Sequence, residues 1–228
     1  MIHQFIFAAP KPGMTEQEFQ DYWLNYHAVK FASKIKEIKK YLIDLRIDSK
    51  YDVGEPLYSG IAEIWLNNDE EQIASLQSEE FLQGARLDEP NWAAFWKTLV
   101  LDTDMIAETE GEVSGGVKLL LIAKRANGVE LSDFRKLVYE NCYANLKTMD
   151  GISKVRLNTV RDGWYFLGEP RFDAVISLWF DNIESLNAVI DSTGNDILKL
   201  QSENYINSNY VFPFILSENW VIGPEGRE

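Results

Sequence analysis

The chain repeats itself, and that constrains its fold more than any other feature. "IHQFIFAAPKPGMTEQEF" (2–19) lies over "VKLLLIAKRANGVELSDF" (117–134) without a gap, pairing Gly13 with Gly128 and Phe19 with Phe134. Further on, "GEPLYSGIAEIW" (54–65) lies over "GEPRFDAVISLW" (168–179), so the same Gly-Glu-Pro is followed at equal spacing by Trp65 in one copy and Trp179 in the other. Chance composition does not place a rare tryptophan twice at the same distance from a shared tripeptide. The sequence therefore encodes one supersecondary unit twice.

Each copy carries the same series of patterns. Ile2 to Ala8 is a short apolar run closed by Pro10 and Gly13, and the helix that follows opens with a capping box, Thr15 paired with Glu18. Residues 40–47 and 57–66 are β-type segments separated by the turn-rich "DSKYDVGEP". A second helix fits 69 to about 83, and 98–106 reads as a last strand. The second copy gives strands near 117–123, 152–161, 171–180 and 212–222, with helices near 131–147 and 182–205. The order β-α-β-β-α-β is that of a ferredoxin-like unit, in which helices cover one face of an antiparallel sheet. The expected fold class is α+β: two ferredoxin-like repeats, 1–107 and 117–228, joined by the polar linker 108–116 and packed sheet to sheet as a fused pseudo-dimeric α/β barrel.

Bulk properties remove several functions. The 228 residues are 46% hydrophobic, which supports a large packed core. A net charge of -14 repels phosphate backbones and anionic lipid surfaces, which argues against nucleic acid or a membrane as partner. Cys142 is the sole cysteine, so an internal disulfide is impossible, and cysteine use fits a reducing compartment. The start has no basic n-region and no apolar run approaches the ~20 residues of a membrane span. The expected location is cytoplasmic. Internal duplication would satisfy a dimer's needs within one chain, yet two chains could still pair as a homodimer through outer strands or helices.

The string "KPGMTEQEFQDYWLNYHA", followed by "IKKYLID" and "GEPLYSGIAEIWL", resembles the EthD-type branch of the dimeric α/β-barrel superfamily, in which a Pro-Gly turn, a Phe-x-x-Tyr-Trp helix and a histidine at its end recur. The second half keeps the skeleton and loses the Tyr-Trp-His signature. The resemblance implies a site for a small hydrophobic molecule and no organic cofactor. Members of the superfamily include polyketide cyclases, lactone isomerases, decarboxylases and small monooxygenases, so the fold supports a type of site more than one reaction.

Projecting the first helix at 100° per residue places Phe19, Trp23, Tyr26 and Lys30 in one stripe with His27 at its edge. Lys30 there must reach the rim or find an anion. In the second copy Tyr26, His27 and Lys30 correspond to Asn141, Cys142 and Asn145, which suggests a polar cleft in both halves. His27 has two readings. It is either a core histidine bonded to a backbone carbonyl or the acid/base residue of a cleft walled by Tyr22, Trp23 and Tyr26. Under the second reading, favoured by the resemblance, the catalytic candidates are His27, Tyr26 and Tyr41, the two tyrosines holding a substrate carbonyl or phenol. The substrate-binding candidates are Tyr22, Trp23, Lys30 and Trp65. Cys142 reads as a small buried hydrophobe, and His3 as structural or at the sheet rim.

Two histidines far apart and one cysteine make no conventional metal cluster. No phosphate-cradling glycine loop and no G-x-S-x-G elbow occur. Haem ligation by His27 would belong to branches of the superfamily with other motifs. The expected function is a cofactor-independent enzyme that moves protons on an aromatic or polyketide-like carbonyl compound, as cyclase, isomerase, dehydratase or decarboxylase. The alternatives are a ligand-binding accessory protein without catalysis, and a small monooxygenase.

Overall fold

A computed structural model describes residues 1–111 and 116–227; residues 112–115, inside the segment read as a linker, lie outside them. The chain forms two compact units, one of residues 1–102 with 218–228 and one of residues 103–217. The expected α+β class stands, with eight strands among the described residues.

In the first unit, β1 (Ile2–Ala8) ends in the Pro-Gly turn, where Gly13 takes φ +85°, a conformation open to glycine and costly for a side-chain-bearing residue. The capping box forms as read, Thr15 Oγ1 accepting from the Glu18 N–H at 3.2 Å while Glu18 Oε2 accepts from the Thr15 N–H at 2.8 Å. β2 (Lys40–Arg46) and β3 (Gly60–Leu66) pair antiparallel, and β3 also pairs with β1 in a register that sets Gln4 opposite Ile64 and Ile6 opposite Ala62. β4 (Leu99–Glu108) lies beside β1, giving the strand order 4-1-3-2. Strand alternation then sends Gln4, Ile6, Tyr41, Ala62 and Ile64 to the face under the helices. His3, Phe5, Glu63 and Trp65 go to the opposite face, where the His3 imidazole meets Glu63 at 2.7 Å and stacks on Trp65.

Three expectations for this unit need correction. The strand expected from 57 starts at Gly60, because residues 57–59 still belong to the approach from the turn, with Ser59 N–H bonded to the Ala8 carbonyl. The second helix, expected to end near 83, is α-helical over Asp69–Gln77, breaks at Ser78 and resumes as a π-helix over Glu80–Ala85, an α-turn over Arg86–Asp88 and a 3-10 turn over Glu89–Asn91. The first helix is not uniform either: Glu16–Tyr22 is α-helical, Trp23–His27 is π-helical and Ala28–Lys30 is α-helical again.

In the second unit, β5 (Val117–Arg125) pairs with β7 (Ala174–Phe180) and with β8 (Ile206–Ile222), while β6 (Lys154–Val160) pairs with β7 and with the Thr103–Glu108 part of β4. The single helix expected over 182–205 is two, Ile183–Ser192 and Asp196–Lys199, divided at Gly194 and Asn195, both with positive φ. A short helix, Asp162–Leu167, fills the long connection before β7. No helix among the described residues is long and apolar enough to cross a membrane.

Candidate functional site

The first unit holds a partly open cavity of about 120 Å³ between the helix-side face of its sheet and its helices, lined among others by Trp23, His27, Tyr41, Ala62, Glu89 and Trp92. The helical side follows from the π-turn. Ala28 N–H reaches back five residues to the Trp23 carbonyl, and this wider turn brings Phe19, Trp23 and His27 onto one buried line. A projection at 100° per residue assumes uniform α-geometry and mispredicts this face. Tyr26 is 40% exposed, and Lys30, on the solvent side, donates to the Tyr26 hydroxyl at 2.6 Å. Neither lines the cavity.

The segment after the second helix supplies what sequence reading missed. Gly84 lets that helix approach the end of the first; a Cβ there would stand 3.2 Å from the Phe31 ring. One turn later Asp88 meets His27, Oδ2 lying 2.8 Å from Nδ1. The carboxylate also accepts from the Tyr22 hydroxyl at 2.8 Å and from Asn91 Nδ2 at 3.0 Å. Trp92 is clamped against the end of β1, its carbonyl accepting from Lys11 N–H at 3.0 Å and the next residues continuing through Ala94 N–H to the Ala9 carbonyl at 2.9 Å. Its indole packs on His27 with ring centroids 4.8 Å apart and on Trp23 at 4.9 Å.

Two groups approach His27 Nδ1, because Trp92 Nε1 also lies 3.1 Å from it. One nitrogen cannot donate to Asp88 and accept from Trp92 in a single tautomer. The carboxylate decides: an unprotonated Nδ1 would set its lone pair against a carboxylate oxygen, whereas Nδ1–H gives a charge-assisted bond. Burial pushes the Asp88 carboxyl up, but the bonds from Asn91, His27 and Tyr22 outweigh it and hold the group below the usual carboxylate range. Burial pulls His27 below its ordinary value of 6.5, against the opposing pull of Asp88. The ring is therefore neutral near neutrality, with its proton on Nδ1 and a lone pair on Nε2, which meets no hydrogen-bonding partner among the described residues.

Tyr41, only 2% exposed, lines the same cavity from β2. Burial pushes its hydroxyl up out of the titrating range, with the Trp23 indole beside it pulling the other way, so it stays a phenol. Its proton finds no acceptor among the described residues. Burial, followed by the Asp88 carboxylate, raises Tyr22 likewise and keeps it a donor to Asp88.

The candidates read from the sequence thus separate. His27, Trp23 and Tyr41 come together at the cavity. Tyr22 reaches it only through Asp88, and Tyr26 and Lys30 stay outside. Trp65 lies on the opposite face of the sheet, between His3 and Trp220. In the second unit the equivalent stripe is arranged differently: Asn141 and Asn145 face solvent, and Cys142 is 1% exposed, its thiol raised chiefly by burial and its N–H bonded to the Tyr205 hydroxyl. Among the described residues no group of three or more His, Cys, Asp or Glu side chains could hold a metal. A haem does not fit the room beside His27, since about 120 Å³ is the scale of one six-membered ring.

Residues 11–95 match the EthD domain, the family that the Pro-Gly turn and the Tyr-Trp-His helix resemble. No curated protein matches the chain by sequence. Among solved structures, an anthrone oxidase-like protein superposes with a TM-score of 0.66 at 8% identity, covering 96% of this chain and 92% of its own. A candidate monooxygenase of Fusobacterium nucleatum gives 0.58 at 9% identity over 96% and 92%, and one of Lactobacillus acidophilus gives 0.54 at 13% over 96% and 94%. At such identities the likeness is one of fold.

Proposed function

We propose that the first unit is a cofactor-independent acid/base site for a small, neutral, hydrophobic carbonyl compound. One observation carries the reading: a neutral histidine whose Nδ1–H is committed to a buried carboxylate and whose Nε2 is unpartnered at an apolar cavity. In this reading Nε2 removes a proton from the carbon next to the carbonyl, Asp88 stabilises the imidazolium formed, and the Tyr41 O–H holds the oxygen as it gains charge. The cavity volume favours substrates that insert one ring or a short chain, larger aromatic or polyketide-like molecules extending outward. We also take the two units, with their matching strand orders, to be tandem ferredoxin-like repeats of which only the first keeps the site.

The test is exchange of α-protons of cyclohexanone for deuterium in D2O, followed by NMR, together with titration of the labelled His27 imidazole with and without the ketone. Exchange that disappears in His27→Gln supports catalysis. A ketone that shifts the His27 titration and leaves with its protons intact supports the carrier reading instead. The shared fold with monooxygenase-type proteins motivates one further reading, in which the carbanion formed at His27 is consumed by dioxygen; turnover that survives strict anaerobiosis removes it.

A further inference from the structure

The cavity contains a second group able to carry a proton. Glu89 follows Asp88 directly, in the 3-10 turn Glu89–Asn91, and its side chain lines the cavity with His27. Its backbone is fixed, the carbonyl accepting from Trp92 N–H at 3.2 Å and from Ala93 N–H at 2.9 Å. Arg86 Nη1 donates to Oε2 at 2.5 Å, while Oε1 meets no donor among the described residues. The same short segment therefore presents two carboxyls with different surroundings. Asp88 is held by three donors and is turned to the His27 ring, whereas Glu89 has one donor and stands at the lining of the cavity with its side chain 26% exposed.

We propose that Glu89 is the proton donor that completes the reaction begun at His27, making the site one that relocates a double bond toward a carbonyl. The inference rests on the His27 reading. For a β,γ-unsaturated ketone the steps balance without oxidant or water. His27 Nε2 takes the proton from the carbon between the carbonyl and the double bond, and the C–H electron pair enters the dienolate, whose oxygen the Tyr41 hydroxyl holds. The Glu89 carboxylic acid then gives its proton to the γ carbon, a C–H bond forms there, and the double bond moves into conjugation. Glu89 is left as carboxylate and His27 as imidazolium, and exchange with solvent restores both. Burial supports the role by pushing the Glu89 carboxyl up, against the pull of Arg86, so that the acid form persists to higher pH than for an exposed glutamate.

The probe is cyclohex-3-en-1-one, a one-ring β,γ-enone, incubated with the full chain in D2O and followed by NMR at C2 and C4. The wild-type protein is expected to exchange C2 protons and to form the conjugated enone with deuterium at C4. Glu89→Gln is expected to lower the ratio of enone formation to C2 exchange by about 10²-fold, the scale of one general acid. Glu89→Asp, which keeps the acid on a shorter arm, should fall between them and carries the test should the glutamine variant not fold. Enone formed by Glu89→Gln at the wild-type rate overturns the proposal, as does loss of C2 exchange together with enone formation. Wild-type protein that exchanges C2 and never forms enone removes the role of Glu89 and leaves that of His27. Wild-type protein that does neither defeats the His27 reading and this inference with it.

Discussion

His27 Nδ1 and Asp88 Oδ2 lie 2.8 Å apart, with the two residues only 6% and 5% exposed. A buried carboxylate beside a buried imidazole fixes which ring nitrogen carries the proton, and so which one can act as a base. Tyr22 and Asn91 complete the coordination of Asp88 and leave it no reason to rotate. The pair is 61 residues apart in the chain and becomes a unit only through the packing of two helices.

Replacing Asp88 by Asn should therefore change the tautomer before it changes the fold. The amide NH2 can donate to Nδ1, moving the ring proton to Nε2 and removing the base from the cavity. Ketone proton exchange should fall by roughly 10²- to 10⁴-fold. Nitrogen chemical shifts of the labelled ring would show the proton on Nε2; a ring still protonated on Nδ1 would contradict the assignment.

The pH dependence follows from the lowered His27 value. Because burial places the folded pKa below 6.5, the unfolded chain takes up this proton first as the pH falls. The contribution of neutral His27 to stability is thus complete above about pH 6.5 and declines as the pH drops from there toward the folded pKa. Urea unfolding at pH 7.5 and pH 5 should show a loss that shrinks in His27→Gln, the difference isolating this residue from His3 and the carboxylates. The acid limb of activity should likewise lie below pH 6.5.

What was legible in the sequence was whatever depends on local pattern. The β1 run, the Thr15–Glu18 box and the repeat each announce themselves in a few adjacent residues, and the structure has the strands and the cap where those residues imply them. The helix face departs from the 100° projection because the π-turn after Tyr22 has no signature in hydrophobic periodicity. Tyr26 and Lys30 therefore looked inward while facing water. Asp88 and Trp92 escaped because the helix that carries the first continues past residue 83 by changing its hydrogen-bond period, and "LDEPNW" alone does not say which remote side chain it will meet. A buried acid just ahead of a Pro-Asn-Trp turn is a signal only once a histidine lacking a partner is being matched to it.

Tyr41→Phe separates function from stability. The hydroxyl has no acceptor for its proton among the described residues, while its oxygen takes a hydrogen bond from the Trp23 indole, so its removal gives up that one bond and should cost no more than about 1.5 kcal/mol. Proton exchange should nonetheless fall by about 10- to 10²-fold through loss of the donor to the substrate oxygen. Tyr26→Phe, at an exposed position, should alter stability by no more than about 0.5 kcal/mol and leave exchange intact. Equal effects of the two changes would show that Tyr41 has no role in the cavity.

Gly60 tests how the sheet supports the site. A Cβ there would stand 2.8 Å from Trp23 Cζ3 and 3.1 Å from the Asp44 carbonyl oxygen, so Gly60→Ala forces the indole aside. Overpacking of this kind should cost about 1–3 kcal/mol, read as a lower urea midpoint. The Trp23 fluorescence environment and ketone binding should change with it, since the displaced ring lines the cavity. A variant that unfolds earlier with unaltered binding would mean that Trp23 adapts without disturbing the site.

Filling the cavity gives the most direct check on its use. Ala62 lines it from β3, is 2% exposed and points its methyl group into the space. Ala62→Leu adds three carbons to a volume of about 120 Å³, enough to exclude a six-membered ring while burying more apolar surface. The variant should therefore fold with stability within about 1.5 kcal/mol of the wild type, because the added atoms enter space instead of packed neighbours. Cyclohexanone should no longer shift the His27 titration, and the titration in its absence should stay where it is. Retained ketone binding in a folded Ala62→Leu protein would place the ligand elsewhere and separate His27 from the cavity it lines.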